Sequence, residues 1–454
     1  MRNEIPITTA ARWPPRFRLH SSIQTLFSLE LLLFAWFALS PIASFFIRYP
    51  AERSILTFDR AVFAVATFAA ARSAWRAKTL PLVKLEIFWA LVAVLAVVSA
   101  VALSLDIGAA SKTALDSFLL PLAAFHVARR HLDLKEKGAV LILLAMWLAV
   151  LLFATGAYEY LTASNLFPYK GSELVREGEL RVNGPFASDS SYAVICLMVA
   201  LLLKAAPAAF GVRLDKSARL LYAIALASVA LASLLPLFRV VAAALVICWA
   251  LYSLAGRRGR AVRVNGKTVG VLAIIIALFA VIGWQSLERR LADPRNIYGR
   301  VATWQTAAKI ALENPFFGVG LGNYAAYFQQ VYVGQDRLRE SVLDARAAAS
   351  PHSNLLWIAA ELGLAACVLY VLANVYIFLA GYRRVKRARS ARGRRQAACY
   401  LAIAFAYWIP GLTLTSGAYS DLNLYFFFLL GLLLNVSDGK RERERSGTPD
   451  QPAV

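Results

Sequence analysis

Residues 138–158 of the chain read Gly138-Ala-Val-Leu-Ile-Leu-Leu-Ala-Met-Trp-Leu-Ala-Val-Leu-Leu-Phe-Ala-Thr-Gly-Ala-Tyr158, without a charged side chain. About 20 such residues suffice for a helix to cross the hydrocarbon core of a bilayer. The apolar residues are continuous rather than alternating, which favours a helix over a strand of a membrane barrel. The stretch therefore predicts a transmembrane helix.

Runs of the same kind recur along the chain, which has 454 residues, of which 59% are hydrophobic, and a mean hydropathy of +0.57. This composition excludes an ordinary soluble domain. The predicted spans are 24–47, 55–71, 87–104, 112–128, 138–158, 190–208, 218–236, 239–254, 268–285, 352–382, 397–416 and 422–436. The predicted fold class is accordingly all-α, a polytopic integral membrane protein of about 12 transmembrane helices.

The net charge of +22 is compatible with nucleic-acid binding or with a membrane topology, and its distribution favours the second. Arg and Lys cluster in every second connection, among them Arg16, Arg76, Arg130, Lys216, Arg258 and Arg383. By the positive-inside rule both termini are expected in the cytoplasm. The first apolar run is longer than that of a cleaved signal peptide, so the first helix itself is expected to direct insertion. Membrane lipids, and no nucleic acid, are expected as partners.

This topology divides the chain into alternating membrane and water-exposed segments. They are a cytoplasmic tail (1–23), helices 1–5 (24–158), a periplasmic loop (159–189), helices 6–9 (190–285), a larger periplasmic loop (286–351), helices 10–12 (352–436) and a cytoplasmic tail (437–454). The two long loops lack the basic bias of the cytoplasmic connections. Loops of such length usually carry function rather than merely connect helices.

The larger loop contains a predicted helix and a glycine-rich motif. The helix covers 301–312, with its apolar face formed by Val301, Trp304, Ala308 and Ala311. We expect it to lie on the membrane surface. The motif follows with Gly318, Gly320, Gly322 and Tyr324. It matches neither a P-loop nor a dinucleotide fingerprint, so it predicts a tight turn or, alternatively, backbone amides directed at a phosphate or sugar.

His352 is the candidate catalytic residue, because it is the one histidine expected on the outer side of the membrane. A neutral imidazole can accept a proton from an attacking hydroxyl. The alternative is a histidine that only hydrogen-bonds to the loop backbone at the start of a helix. No Cys, His or carboxylate stands at ligand spacing from it, so neither a metal nor another cofactor is predicted.

Arg181, Arg239 and Arg300 are also expected on the outer side. Guanidinium groups bind phosphate in a bidentate manner and stay charged, although each arginine can instead reach towards lipid headgroups. Glu361 lies within a predicted span and shares a helix face with Asn354. A buried acid in a membrane is costly, and we expect it to pair with a neighbouring helix.

Several of these motifs together resemble one known family. They are Arg300 with Trp304, Asn314-Pro-Phe-Phe-Gly-Val-Gly-Leu-Gly-Asn-Tyr324, Pro351-His-Ser-Asn-Leu355 and Glu361-Leu-Gly363. This set resembles the signature region of the O-antigen ligase and polymerase family. Arg181-Val-Asn-Gly-Pro-Phe186 resembles the upstream outer-loop motif of that family, so the resemblance covers roughly residues 178–365.

The resemblance implies a GT-C-like glycosyltransferase of the bacterial inner membrane with a periplasmic active site. The implied donor is a glycan on undecaprenyl diphosphate, and the acceptor is lipid A-core in a ligase or another lipid-linked glycan in an O-antigen or exopolysaccharide polymerase. It further implies an inverting, metal-independent reaction in which His352 is the base and the diphosphate is held by Arg181, Arg239 and Arg300. Supporting roles would fall to Asn354, Glu361, Gly318, Gly320, Gly322 and Tyr324. A polysaccharide transporter is the alternative from a different class, since it has a similar helix count.

Overall fold

The computed structural model describes residues 29–48, 57–77, 82–132, 134–168, 175–176, 179–256, 270, 277, 295–328 and 350–434. Its helices are α1 (Leu29–Arg48), α2 (Phe58–Ala77), α3 (Lys84–Ala102), α4 (Ile107–Ala114), α5 (Leu120–His131), α6 (Leu134–Thr162), α7 (Asp189–Phe210), α8 (Lys216–Ala232), α9 (Arg239–Ala255), α10 (Arg295–Glu313), α11 (Tyr324–Phe328), α12 (Asn354–Arg387), α13 (Ala391–Gly411) and α14 (Ser420–Leu433). A π-helical turn (Leu115–Leu119) joins α4 to α5, and a 3₁₀ turn (Ser416–Ala418) precedes α14. The strands β1 (Val175–Arg176) and β2 (Glu179–Leu180) form a small antiparallel hairpin.

The described residues are helical as predicted, apart from the small pair β1–β2, and their apolar helices are consistent with a membrane protein. Within the described ranges five helices are long and apolar enough to cross a membrane, namely Leu29–Ile47, Lys84–Ala102, Lys137–Thr162, Asp189–Phe210 and Asn354–Arg387. The apolar helices α9 and α14 are shorter. Helices overlap every predicted span except 268–285, of which only residues 270 and 277 are described. The total of twelve spans therefore stays a prediction.

Helix α7 lies at the centre of the fold. In its most apolar window 83% of the residues are buried, against 44% in α1, α3 and α6. It packs against α6, α8, α9, α13 and α14. A helix that is apolar on all sides is stable only where neighbours cover it completely, whereas the outer helices leave one apolar face for lipid.

The connections between helices gather at two ends of the bundle. At one end, Arg392 Nε donates to the Ala209 carbonyl (3.1 Å) and Arg384 Nη1 donates to the Leu433 carbonyl (3.3 Å). These cations satisfy carbonyl groups at the C-termini of α7 and α14. At the other end, Ser104 Oγ donates to the Leu321 carbonyl (2.9 Å). The basic connections thus lie at one end of the bundle and the glycine-rich segment at the other, which agrees with the charge pattern. The side of the membrane that each end faces remains a prediction.

Helix α12, which overlaps the predicted span 352–382, is interrupted at Gly363. Gly363 has φ of 87° and ψ of 171°, which no helical residue adopts. The glycine-rich segment 314–323 enters the break: Val319 N donates to the Ala360 carbonyl (2.9 Å), Gly320 N to the Glu361 carbonyl (3.1 Å), and Leu364 N to the Pro315 carbonyl (2.7 Å). The loop thus pairs with backbone groups that the break leaves without helical partners, as an apolar environment requires.

The close approach of this loop predicts unequal tolerance of its glycines. Gly318 (φ 66°) lies directly against the Glu361 backbone, where a Cβ would overlap, whereas a Cβ on Gly322 (φ 83°) would meet open space. Positive φ alone costs an alanine ~1–2 kcal/mol. We therefore expect Gly318→Ala to destabilise the protein by clearly more than the matched Gly322→Ala, as measured by thermal unfolding in detergent. Equal effects of the two variants would contradict this packing.

Candidate active site

His352 occupies a strained position immediately before α12. Its φ is +49°, a left-handed conformation that few residues other than glycine adopt and that is found at functional sites. Its backbone N donates to Ser350 Oγ (3.2 Å), and Ser350 Oγ is hydrogen-bonded to Thr415 Oγ1. The turn before the helix and the turn after α13 therefore fix the backbone of His352 together.

Two positive charges act on the partly buried imidazole. Burial is the main cause that lowers the pKa of His352 from 6.5 to about 4, and the charges of Arg300 and then Arg181 lower it further. The direction follows because both burial and nearby cations disfavour the imidazolium ion. At neutral pH His352 is therefore uncharged, which is the protonation state that a general base requires. Arg181 and Arg300, far apart in sequence, both lie near this one histidine.

Arg181 is carried by a loop that a buried glutamate holds. Glu159, near the end of α6, is 0% exposed, and its Oε2 accepts hydrogen bonds from Asn183 N (2.9 Å) and Gly184 N (2.7 Å). Arg181 also forms an ion pair with Asp189 at the start of α7 (3.7 Å). The loop that presents Arg181 is thus tied to two helices. Glu159 did not emerge from the sequence reasoning, although an acid near the end of an apolar helix was a signal for it.

Arg300 projects from α10, which packs on the first part of α12. The predicted apolar face of α10 is borne out in part: Ala311 is buried, Trp304 and Ala308 are half-buried, and Val301 is exposed. The other buried residues of the helix include Ala302, Thr303, Thr306, Ala307 and Ile310. This face is rich in small residues, which allow close packing against other backbone. Tyr324 Oη donates to the Thr303 carbonyl (3.0 Å) and connects the helix to the glycine-rich segment. That α10 lies on a membrane surface remains a prediction.

Glu361 binds the glycine-rich segment instead of pairing with a neighbouring helix through a charge. Its Oε2 accepts from Gly322 N (2.9 Å) and Trp357 Nε1 (2.7 Å), and its Oε1 accepts from Tyr324 N (3.1 Å). Both carboxylate oxygens are therefore engaged by donors. The amides of Gly322 and Tyr324 are occupied by the protein itself, which supports the tight-turn interpretation of the glycine motif over a phosphate cradle.

Replacing each of the two buried glutamates with glutamine is expected to change the stability of the protein by different amounts. In Glu361→Gln the new NH₂ group would face an N–H donor, which costs ~1–3 kcal/mol. In Glu159→Gln the remaining carbonyl can still accept from Asn183 and Gly184, because both N–H groups donate to the same oxygen. The Leu166 N–H is a further donor to this carboxyl group, and the one that affects it least. We expect thermal unfolding to show a clear loss for Glu361→Gln and a small change for Glu159→Gln. The reverse order would contradict the assigned contacts.

Asn354 is the first residue of α12 and anchors it to the 3₁₀ turn. Its Nδ2 donates to Ser416 Oγ (3.0 Å), and its Oδ1 accepts from Gly417 N (2.7 Å). Because the two contacts use both polar atoms of the amide, Asn354 is engaged in holding the start of the helix. Because Asn354 follows His352 by only two residues, these contacts also help to hold His352 in place.

Arg239 is the first residue of α9 and is exposed. It follows a turn in which Leu237 also has a positive φ of 58°. Arg239 is not one of the charges that lower the pKa of His352. The end of its helix at Gly256 lies beside Arg395 near the start of α13, so α9 and α13 are antiparallel. Arg239 therefore lies towards the end of α13 that leads to Thr415, beside Ser350. A role for Arg239 at the diphosphate remains a prediction.

No group of three or more His, Cys, Asp or Glu side chains in the described part of the chain is arranged to hold a metal ion. The charged groups found near His352 are arginines, and their chemistry suits an anion. What the arrangement provides is a neutral imidazole beside two guanidinium groups. It can accept a proton while neighbouring cations hold a phosphate or diphosphate.

Comparison with known proteins bears on the same region. Residues 223–371 match the family described as O-Antigen ligase. The matched segment, about a third of the chain, runs from α8 into α12 and includes Arg239, Arg300, His352 and Glu361, whereas Arg181 precedes it. No curated protein matched the chain.

Proposed function

Because the match at residues 223–371 supports assignment of this chain to the O-antigen ligase and polymerase family, we propose that it transfers a glycan from undecaprenyl diphosphate to an acceptor hydroxyl. The observation that supports this best is the neutral His352 beside Arg181 and Arg300. In the proposal the site faces the periplasm at the inner membrane, and the acceptor is lipid A-core.

In the proposed reaction the acceptor oxygen attacks the anomeric carbon of the donor sugar. The bond from that carbon to the diphosphate oxygen breaks, and the hydroxyl proton moves to His352. Direct displacement inverts the anomeric centre. Negative charge grows on the departing diphosphate, and fixed guanidinium groups in a partly desolvated site stabilise it best at that stage. These cations do the work that a metal could otherwise do, so the proposal requires none.

Donor binding would also make His352 a stronger base. In the free protein the charges of Arg300 and Arg181 help to hold its pKa low. A bound diphosphate neutralises these charges and so removes part of the cause, which raises the pKa towards its ordinary value. His352 then becomes a better proton acceptor once the donor is in place.

A purified system tests the proposal directly. The protein is placed in liposomes with an undecaprenyl-diphosphate-linked oligosaccharide and a lipid A-core acceptor, and the products are separated on a gel. Glycan joined to lipid A-core supports the ligase. Products that lengthen on the lipid carrier identify a polymerase, and no product with any acceptor contradicts transferase activity.

The transporter alternative has one observation in its favour, the interrupted helix α12, since broken helices bind substrates in many transporters. Here, however, the break is filled by residues 314–323 of the same chain, which pair with its backbone groups. That arrangement leaves those groups unavailable to a substrate. Movement of lipid-linked glycan across the liposome bilayer, without formation of any new glycosidic bond, would support the transporter instead.

A further inference from the structure

A pocket opens at the end of the bundle opposite to His352, where the turn from α7 to α8 lies. It has a volume of about 480 Å³ and is lined by Pro207, Val212, Arg213, Leu214, Arg219 and Tyr222. Arg392 reaches the same turn, where its Nε donates to the Ala209 carbonyl (3.1 Å). The pocket is separate from the candidate active site, and the proposed function does not use it.

Two arginines give the pocket its charge. Arg219 is held in place because its Nε donates to the Leu214 carbonyl (3.0 Å), a contact that does not involve its two Nη groups. Arg213 is exposed and lines the same pocket. The neighbouring acid, Asp215, caps α8: its Oδ1 accepts from Ala218 N (2.7 Å) and Ser217 Oγ (2.9 Å). Its charge offsets one arginine in part, and the pocket as a whole favours an anion.

The surface next to the pocket is apolar. Leu220, Leu221 and Ile224 of α8 are 64%, 60% and 51% exposed. In a membrane protein such a face contacts acyl chains. The remaining walls of the pocket, Pro207, Val212, Leu214 and the ring of Tyr222, are also largely apolar. A ligand that fits both the arginines and the apolar surface has an anionic group attached to an apolar chain.

We propose that this pocket binds an anionic phospholipid, with its headgroup phosphate between Arg213 and Arg219 and its acyl chains along Leu220, Leu221 and Ile224. Basic pockets between membrane helices are suited to such headgroups, because arginine pairs with phosphate in a bidentate manner. A free phosphate would use the same arginines but not the apolar face. The two ligands can therefore be distinguished.

Native mass spectrometry of the full-length protein tests the proposal. The protein is released from nanodiscs of phosphatidylglycerol and phosphatidylcholine, and the retained lipids are counted in the wild type, in Arg213→Ala/Arg219→Ala and in a matched control, Arg383→Ala/Arg387→Ala. Both pairs are exposed arginines at this end of the bundle, but the control pair does not line the pocket.

We expect the wild type and the control variant to retain phosphatidylglycerol in preference to phosphatidylcholine. The pocket variant should lose affinity for phosphatidylglycerol by roughly 30-fold, which converts to ~1 kcal/mol for each arginine. Equal losses in both variants would mean general attraction to the anionic surface and would overturn a specific site. Displacement of the bound lipid by millimolar inorganic phosphate would overturn the role of the apolar face.

Discussion

Replacing His352 with asparagine is expected to lower the rate of glycan transfer by ~10²–10⁴-fold, the usual contribution of a positioned general base. Asparagine cannot accept the proton at neutral pH, yet it tolerates the positive φ of 49° that position 352 requires. Alanine would remove the base and also strain the backbone. The asparagine variant therefore separates loss of chemistry from loss of fold.

The measurement is initial transfer rate in liposomes, with thermal unfolding in detergent as the check on folding. His131→Asn is a suitable control, because His131 ends α5 at the opposite end of the bundle. It should transfer glycan at the wild-type rate. If the His352→Asn protein kept more than a tenth of that rate with a normal melting temperature, His352 would not be the base.

Replacing Arg300 with glutamine is expected to have two effects on the reaction. Loss of a cation that stabilises the departing diphosphate should lower the rate by ~10²–10³-fold, as with other groups that stabilise developing negative charge. Loss of its charge should also raise the pKa of His352 above its value of about 4, because a positive neighbour disfavours the imidazolium ion. Burial remains, so the pKa stays below its ordinary value of 6.5.

The pH dependence of transfer resolves these effects. In the wild type, kcat/KM should fall as the pH drops through about 4, where free His352 becomes protonated and can no longer accept a proton. This fall should occur at higher pH in Arg300→Gln and at the wild-type pH in Arg300→Lys, which keeps the charge but loses bidentate binding. The pH at which kcat falls should be higher than the pH at which kcat/KM falls. The reason is that kcat reports the donor-bound state, in which the pKa of His352 is raised. An acid limb in Arg300→Gln identical to that of the wild type would contradict the proximity of Arg300.

Much of the candidate site could be predicted from local motifs. His352 and Arg300 stand in contiguous stretches whose residue types suit proton and phosphate chemistry, and the charge alternation predicted their position at one end of the helices. The functions of Glu361 and Glu159 were not predictable in the same way. Each acts on backbone amides of a distant segment, Glu361 on residues 322 and 324 and Glu159 on residues 183 and 184. Backbone N–H groups are chemically alike along the chain, so no pattern of side chains in the sequence shows which of them a glutamate will bind.

The break in α12 is another feature that the sequence alone does not predict. Glu361-Leu-Gly363 continues an apolar helical pattern, and glycine within a helix costs only about 1 kcal/mol, so nothing in this stretch marks an interruption of the predicted span. The structure interrupts the helix because residues 314–323 supply hydrogen bonds to the groups that the break exposes. That compensation comes from a segment some forty residues earlier in the chain, and it exists only once the chain has folded.

What the sequence by itself determined is the all-helical membrane fold, the alternation of helix ends and the identity of the chemical groups. In lipid only helices and closed barrels satisfy the backbone, and a continuous apolar run, unlike the alternating pattern of a barrel strand, forms a helix. Only the tertiary structure decided that Arg181 and Arg300 act on His352, that α12 is broken, and that two buried glutamates hold the loops around the site. These features depend on distances between remote segments, and such distances are set by packing rather than by local composition.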